Sequence, residues 1–346
     1  MRERGYEGFS TKLLSRTAGE EGPSPKGLVG EGSAASQQAA AVLPRRERMK
    51  IRRPIAVGAD WALVRLASGE FLCVDTTTFE ALGYILGWEH EADVIRVFRT
   101  FLTQRSVVLD IGANFGLYTA LSASIVKNHG RLYAFEGNPR VFESLQRTIV
   151  ANDLYFNPNI VAANVLVSSE SGRGVLHYSA NLPAGGTMSD VRLSGGKQHA
   201  VEVDMTTIDD FLPSEVTVDL VKIDVEGHEP FVLRGMERTI ARSPNIRIVI
   251  EFADNLLAHT VTPADFADYI RGLGFAICRV LPNFRIRLVP AGETLSGFNY
   301  CLLTRTPEED IRSVEERRKF LPLRFKRWLD RHSVRWERWR RICGRW

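Results

Sequence analysis

Apolar positions between residues 54 and 305 alternate between short uninterrupted runs and spacings of three and four, the mark of strands and helices following one another. The clearest unit is SVVLDIGANFGLYTALSA, residues 106–123. Val107, Val108, Leu109 and Ile111 form a buried-strand run around Asp110, Gly112 and Gly116 bracket a turn, and an amphipathic segment starts at Leu117. Upstream, residues 61–66 and 71–74 are β-prone and joined by Ala67-Ser68-Gly69-Glu70, a hairpin signal. Helical spacing follows over 78–86 and 89–102, the second placing Val94, Val97, Phe98, Phe101 and Leu102 on one face as a cap ahead of the central strand. Downstream, RLYAFEGNP reads as a second strand ending in Glu136, then a helix with Asn138 as N-cap and Pro139 at its first position. A third strand is expected over 159–167. An inserted hairpin over 173–179 and 200–204 surrounds a polar loop at 181–198, with two readings: a mobile lid or a solvated surface insertion. A short helix over 206–212, strands over 218–224 and 246–252, and a helix over 263–273 stopped by Gly274 come next. An antiparallel pair, 275–281 with 298–304, closes the pattern. The order predicts an α/β fold, a mostly parallel sheet with helices on both faces.

Both ends break this pattern. Residues 1–48 are rich in Gly, Ser, Ala, Glu and Arg without periodicity and are expected to be a disordered extension; Met49 opens the first patterned stretch, so Met1 and Met49 both stand as starts. The organisation expected is this extension, a hairpin and helical cap over 49–105, a catalytic domain over 106–305, and a tail over 306–346. In the tail Leu329, His332, Trp336, Trp339, Cys343 and Trp346 recur at helical spacings among Arg327, Arg331, Arg335, Arg338 and Arg341. That is a basic amphipathic helix over 321–346, suited to peripheral contact with an anionic membrane face or to packing on the body.

Charge sharpens the contrast. Of the formal net charge of +4, residues 1–53 carry +5 and residues 312–346 carry +9, which leaves −10 between them. An acidic body lacks the basic footprint that nucleic acid requires, so no nucleic-acid partner is expected. The four cysteines have no C-x-x-C spacing and indicate neither a disulfide framework nor a zinc site. No apolar run reaches the roughly 20 residues that span a bilayer. A cytoplasmic protein, peripheral at most, is expected.

Candidate chemistry begins at the glycine turn. Gly112 lets the backbone turn tightly and approach a ligand, Gly116 allows the same at the helix start, and that start offers amides and a positive dipole end to an anion. A dinucleotide fingerprint fails because its third position is Asn114, and the Lys-Ser/Thr of a phosphate loop is missing. Asp110 suits the ammonium of a methionine moiety, leaving the turn amides for its carboxylate, and Glu136 suits both hydroxyls of a ribose. Together these point to S-adenosyl-L-methionine, held by Asp110, Gly112, Asn114, Gly116, Glu136 and Asn138.

DIGANFGLYT, the strand ending Phe135-Glu136, VDMTTIDDFL, LVKIDVEGHEPFVLRGM and IVIEF resemble the FkbM-type S-adenosylmethionine-dependent methyltransferases over about residues 60–305. IDVEGHE is the most specific of these stretches. The resemblance implies a class I, Rossmann-like methyltransferase fold with a seven-stranded, mostly parallel sheet behind a small N-terminal β-hairpin and helix cap. It also implies O-methylation of a carbohydrate, glycolipid or other small-molecule acceptor. One departure is Phe-Glu-Gly-Asn-Pro where Phe-Glu-Pro is expected.

Methyl transfer is an in-line displacement that requires an aligned hydroxyl, exclusion of water and a proton acceptor. Asp224, at the carboxyl end of the strand beside the turn, and His228, at the start of the next helix, are the catalytic candidates. Glu226, Glu229 and Glu251 are candidates for acceptor binding. Each has a structural alternative: Asp224 or Glu226 as a helix cap, His228 as a solvent-facing residue. Asp224, Glu226, Glu229 and Glu251 also have the oxygen chemistry of a Mg²⁺ site, but the resemblance requires no metal and none is expected. Methylation of nucleic acid is disfavoured by Asp-Val-Glu-Gly in place of an Asn-Pro-Pro-Tyr motif. A different class is a cofactor-binding scaffold that docks to a membrane or partner through its basic tail.

Overall fold

Residues 53–85, 91–126, 128–188, 197–257 and 260–319 are described by the structure, a computed structural model. The chain divides into residues 1–48 and the unit Met49–Trp346. The extension over 1–48 and the amphipathic helix expected over 321–346 lie outside the described residues.

The hairpin forms where expected. β1 (Ile55–Ala56), β2 (Trp61–Arg65) and β3 (Phe71–Asp75) make a small antiparallel sheet, with Gly69 at φ 112° in the turn that joins the last two. Helices Phe79–Ile85 and Ala92–Phe101 follow, the latter burying Val94, Val97 and Phe98 on its apolar face.

The central sheet gathers β4 (Val107–Ile111), β5 (Arg131–Phe135), β6 (Ile160–Ala163), β11 (Leu220–Ile223), β12 (Arg247–Ala253), β13 (Ala276–Leu281), β14 (Arg285–Leu288) and β15 (Phe298–Thr304). Their order is β14-β13-β15-β12-β11-β4-β5-β6, with β6 to β12 parallel and β15 inserted antiparallel between β12 and β13. Seven of these are the strands expected; β14 adds an eighth at the edge. The chain runs outward from β4 to β6 and returns to β11 on the other side of β4. Strand order therefore reverses between β4 and β11, the place where open α/β sheets bind ligands at their carboxyl ends.

Both faces of the sheet are covered, which is why its strands read as continuous apolar runs. One face sets Val108, Leu132, Leu220, Val249 and Leu302 against Val97, Phe98 and Leu121 of two helices; the other sets Leu109, Ile111, Val221, Ile248 and Ile250 in one core with Val232, Ile240, Phe266 and Ile270. Each such side chain, fully buried, contributes roughly 1.5–3 kcal/mol. The register carries polar groups onto the first face near the carboxyl ends. Lys222 lies opposite Asp110 on one side and Val249 on the other, and Glu251 pairs with Tyr300.

The third strand is broken, against expectation. Asn164 turns back and donates its amide to the carbonyls of Glu136 (2.8 Å) and Gly137 (3.2 Å), so that β6 ends at Ala163 and β7 (Leu166–Val167) joins another sheet. That sheet, ordered β7-β10-β8-β9, contains the inserted hairpin of β8 (Gly172–Ser179) and β10 (Gln198–Thr206). The polar loop is partly structured: Leu182–Thr187 forms β9, antiparallel to β8. Residues 189–196 lie outside the described residues.

Helix Pro139–Ala151 is capped as read, Asn138 Oδ1 accepting from the Arg140 amide at 3.1 Å, a contact worth about 1 kcal/mol. Helix Pro307–Lys319 packs on the fold through buried Val314 and through Asp310, which receives both Arg247 Nε and Nη2 at 2.8 Å. Among the described residues no helix is long and apolar enough to cross a membrane.

Candidate active site

A cavity of about 330 Å³ opens along the carboxyl ends of β4, β5, β11 and β12 and the amino end of the antiparallel β15. Its first wall is the glycine turn. Gly112 (φ 75°) and Gly116 (φ 92°) occupy the left-handed region, and a Cβ on Gly112 would lie 1.9 Å from the Asp224 carbonyl oxygen. The turn after β4 and the turn after β11 are thus packed backbone on backbone. Asn114 is also left-handed, at φ 52°.

The amides of this turn are engaged within the chain. Gly112 and Ala113 donate to the Phe135 carbonyl at 3.0 and 2.9 Å, Asn114 to Glu136 Oε2 at 2.9 Å, Phe115 to Asn114 Oδ1 at 2.7 Å, and Gly116 to the Ala113 carbonyl at 2.9 Å. The expectation that these amides are left for a cofactor carboxylate is therefore corrected: Phe135 and Glu136 take three of them and the turn itself takes the other two. Asp110 is corrected likewise. Only 1 % exposed, it sits below the cavity, accepts from Thr119 Oγ1 at 2.6 Å, and is pushed up to about 6 by burial. It does not line the cavity.

Glu136 does line it. Its two oxygens accept from the amides of Asn138 (2.8 Å) and Asn114 (2.9 Å), which fixes the carboxylate and leaves each oxygen a further lone pair facing the cavity. Burial raises it to about 7, although those two amides oppose the rise. Asn138, itself in the wall, spends its side chain on the helix cap and on the Pro183 carbonyl at 2.9 Å. The extra Gly137 lets β7 pass close, since a Cβ there would stand 3.2 Å from Leu166 Cβ.

At the other end Asp224 Oδ2 accepts from Lys222 Nζ at 2.7 Å and from Tyr300 Oη at 2.9 Å. Lys222 is 1 % exposed, with its ammonium 5.0 Å from the ring centre of Tyr118 and 4.8 Å from that of Tyr300. Burial works against the charged amine, but Asp224 and Glu91 outweigh it and hold Lys222 above its ordinary value. Glu91 reaches in from the cap and accepts from Tyr118 Oη at 2.6 Å. Glu251 is 3 % exposed, lines the cavity, and has no partner for Oε2; burial first, then Asp224, Glu226 and Glu229, drive it well up. Glu226, at φ 53°, also lines the cavity and is raised by burial and by Asp224.

Two further candidates change role. Glu229 turns inward, its Oε1 accepting from the amides of Val225 (3.0 Å) and Gly227 (3.4 Å); it holds the Val-Glu-Gly turn and does not line the cavity. His228 lines the wall, but its Nε2 lies 3.0 Å from Ser168 Oγ, its ring stacks on Phe231, and burial lowers it to about 4. It is packed, not solvent-facing, and a weaker base than a free imidazole.

Lys222, Tyr300, Glu91 and Tyr118 were not singled out from the sequence. Lys222 alone carried a signal, a charge inside the apolar run VDLVKID; the others reach the cavity through strand register and chain crossing. Among the described residues, no group of three His, Cys, Asp or Glu side chains is arranged to hold a metal ion. The inserted sheet closes the remaining side with Leu176, Pro183, Ala184, Gly186 and Met188. It is docked there by Ala184 N donating to Glu80 Oε1 at 3.1 Å and by Arg140, which bonds both Asp75 and the Ala180 carbonyl.

Residues 110–277, from the base of the glycine turn to the start of β13, match the methyltransferase FkbM domain. That stretch is an FkbM methyltransferase domain. The chain is 27% identical over 154 residues to methyltransferase 1 of Beauveria bassiana, covering 38% of this chain and 59% of that one. It is 29% identical over 177 residues to the hexuronic acid methyltransferase AglP of Haloferax volcanii, covering 46% and 61%. The chain thus spans about 60% of the length of these curated relatives. Among solved structures it is similar to a methyltransferase FkbM from Methylobacillus flagellatus, at 18% identity and a TM-score of 0.38, covering 59% of this chain and 44% of that one.

Proposed function

We propose that this FkbM-domain protein transfers a methyl group from S-adenosyl-L-methionine to a hydroxyl of a carbohydrate, glycolipid or other small-molecule acceptor, with Asp224 as the proton acceptor. The observation that carries the reading is the arrangement at the β4/β11 switch. A fixed carboxylate, Glu136, stands at one end of the cavity and the Lys222–Asp224–Tyr300 group at the other, with the glycine turn between.

The cavity fits such a cofactor. Glu136 offers two oxygens to a ribose diol, and the acids around Asp224 favour a sulfonium cation over an anion. When bound, S-adenosylmethionine supplies an electrophilic methyl group. The chain supplies the rest. Lys222 and Tyr300 hold Asp224 Oδ2 in one place, and both donate to it, so the carboxylate is oriented to take the proton of an incoming hydroxyl. The inserted sheet, the buried Tyr118 and the half-buried Tyr84 and Phe298 exclude water from that contact. Asp224 is preferred to His228 because His228 spends Nε2 on Ser168 and is held neutral by burial. The name of the Haloferax relative supports a carbohydrate acceptor.

The test is mass spectrometry for singly methylated products over a panel of glycosides, with Asp224→Asn and His228→Ala compared. Asp224→Asn is expected to cut turnover by about 100-fold or more while S-adenosylmethionine still binds by calorimetry. His228→Ala is expected to keep most of its turnover. The reverse ranking would transfer the role to His228. Failure of the wild-type chain to bind S-adenosylmethionine would favour a scaffold and sink the enzymatic reading.

A further inference from the structure

The acceptor half of the cavity is built for hydroxyl groups and against anions. Lys222 is its only permanently charged cation among the described lining residues, and its ammonium is already committed to Asp224 at 2.7 Å. No arginine lines the space, and His228 is occupied by Ser168. Against that one cation stand Glu91, Asp224, Glu226 and Glu251, with Glu80 on the docked side.

Glu251 adds an observation of a different kind. It projects from β12 beside Tyr300, is 3 % exposed, lines the cavity, and leaves Oε2 without a hydrogen-bond partner. A buried polar oxygen left unpaired costs about 1–3 kcal/mol, so Glu251 is the group in this wall that most needs a ligand. Asp224 directly follows Ile223, which pairs with Ile250 of β12, so the register brings Asp224 beside Glu251 at the same end of the sheet.

We propose that the acceptor is a neutral polyhydroxylated ring, held by a hydroxyl on Glu251 Oε2 while a neighbouring hydroxyl faces Asp224, and that a uronate or phosphorylated sugar is rejected. This rests on the methyl-transfer reading above. A hydroxyl both donates and accepts, so it satisfies Glu251 in either protonation state. A carboxylate donates nothing and would bring a buried charge to a wall with no cation left to meet it. In this respect the cavity departs from what the name of the hexuronic acid relative suggests.

The experiment uses the full chain and does not depend on turnover. Methyl hexopyranosides and the corresponding methyl hexuronides are compared by saturation-transfer NMR, with and without S-adenosylhomocysteine, beside calorimetry with S-adenosylmethionine. Neutral hexosides are expected to give signals that the matched hexuronides lack. Where a hexoside is methylated, Glu251→Gln is expected to raise its KM about tenfold with a smaller change in kcat. The same variant should narrow the preference over the hexuronide by tenfold or more, with cofactor affinity and melting temperature unchanged. Hexuronides binding as well as hexosides would overturn the proposal, as would a folded Glu251→Gln chain with unaltered preference. Saturation by neither sugar in a chain that binds S-adenosylmethionine would also overturn it, leaving methyl transfer standing. Hexoside selectivity in a chain that does not bind S-adenosylmethionine would sink methyl transfer and keep the sugar site.

Discussion

Glu136 joins two jobs in one carboxylate, closing the glycine turn through the amides of Asn114 and Asn138 and facing the cavity with what remains of its oxygens. Because burial lifts it to about 7, its charge is half lost near neutrality in the empty chain. Only the ionised form can accept from both amides and from a ribose diol at once. Affinity for S-adenosylmethionine is therefore expected to fall as pH falls through 7, by about tenfold between pH 8 and pH 6, as linkage to a single proton requires. Calorimetry at the two values checks this; a flat profile would remove Glu136 from the site. Glu136→Gln should abolish the pH dependence and bind about tenfold or more weakly at pH 8, the loss of a charge-assisted contact. The neighbouring acids differ in what they do, although the sequence presents them as one cluster. Asp224, Glu226 and Glu251 reach the cavity, while Glu229 and Asp110 turn into the frame. Side-chain direction at the end of a strand depends on which backbone amides lie nearby, and no local pattern encodes that.

The two turns after β4 and β11 act as one element. With the Asp224 carbonyl oxygen where a Gly112 Cβ would be, Gly112→Ala cannot be absorbed by a flexible side chain and must separate the turns. The variant is expected to melt at lower temperature and to lose both cofactor affinity and turnover, measurable by thermal unfolding and calorimetry; normal values for all three would mean the turns are not coupled. Much of this region was legible beforehand. Buried parallel strands show as apolar runs, and Asn138-Pro139 marks a helix start through chemistry confined to neighbouring residues. What escaped lacks such local marks. β9 is LPAGGT, without alternation; β14 is RIRL, with only Ile286 buried; helix Pro307–Lys319 buries Asp310 and Val314 and has no apolar stripe. The join of Lys222 to Tyr300 through Asp224 spans β11 to β15, and register across the sheet, not sequence spacing, brings them together.

For the molecule as a whole, the helix after β15 sets where the chain can be cut. Removal of everything after Pro307 takes away Asp310 and Val314 and leaves the partly exposed Arg247 without its bidentate partner, the loss of a charge-assisted contact worth about 1.5–3 kcal/mol. Truncation after Lys319 removes only residues 320–346. The shorter truncation is expected to keep its melting temperature and methyl transfer to a dissolved acceptor but to lose salt-sensitive sedimentation with anionic liposomes, since it removes the arginine- and tryptophan-rich segment. The longer is expected to unfold at lower temperature. Equal stability of the two would show that the helix contributes nothing; liposome binding that survives the Lys319 cut would place the basic surface elsewhere. The cavity is also divided by origin. Its carboxylates Glu136, Asp224 and Glu251 all come from the central sheet, whereas Leu176, Pro183, Ala184, Gly186 and Met188 arrive on a separate sheet held by a few bonds to Glu80, Asn138 and Arg140. Replacing that insertion would therefore reshape one wall of the cavity while leaving the three carboxylates where they stand.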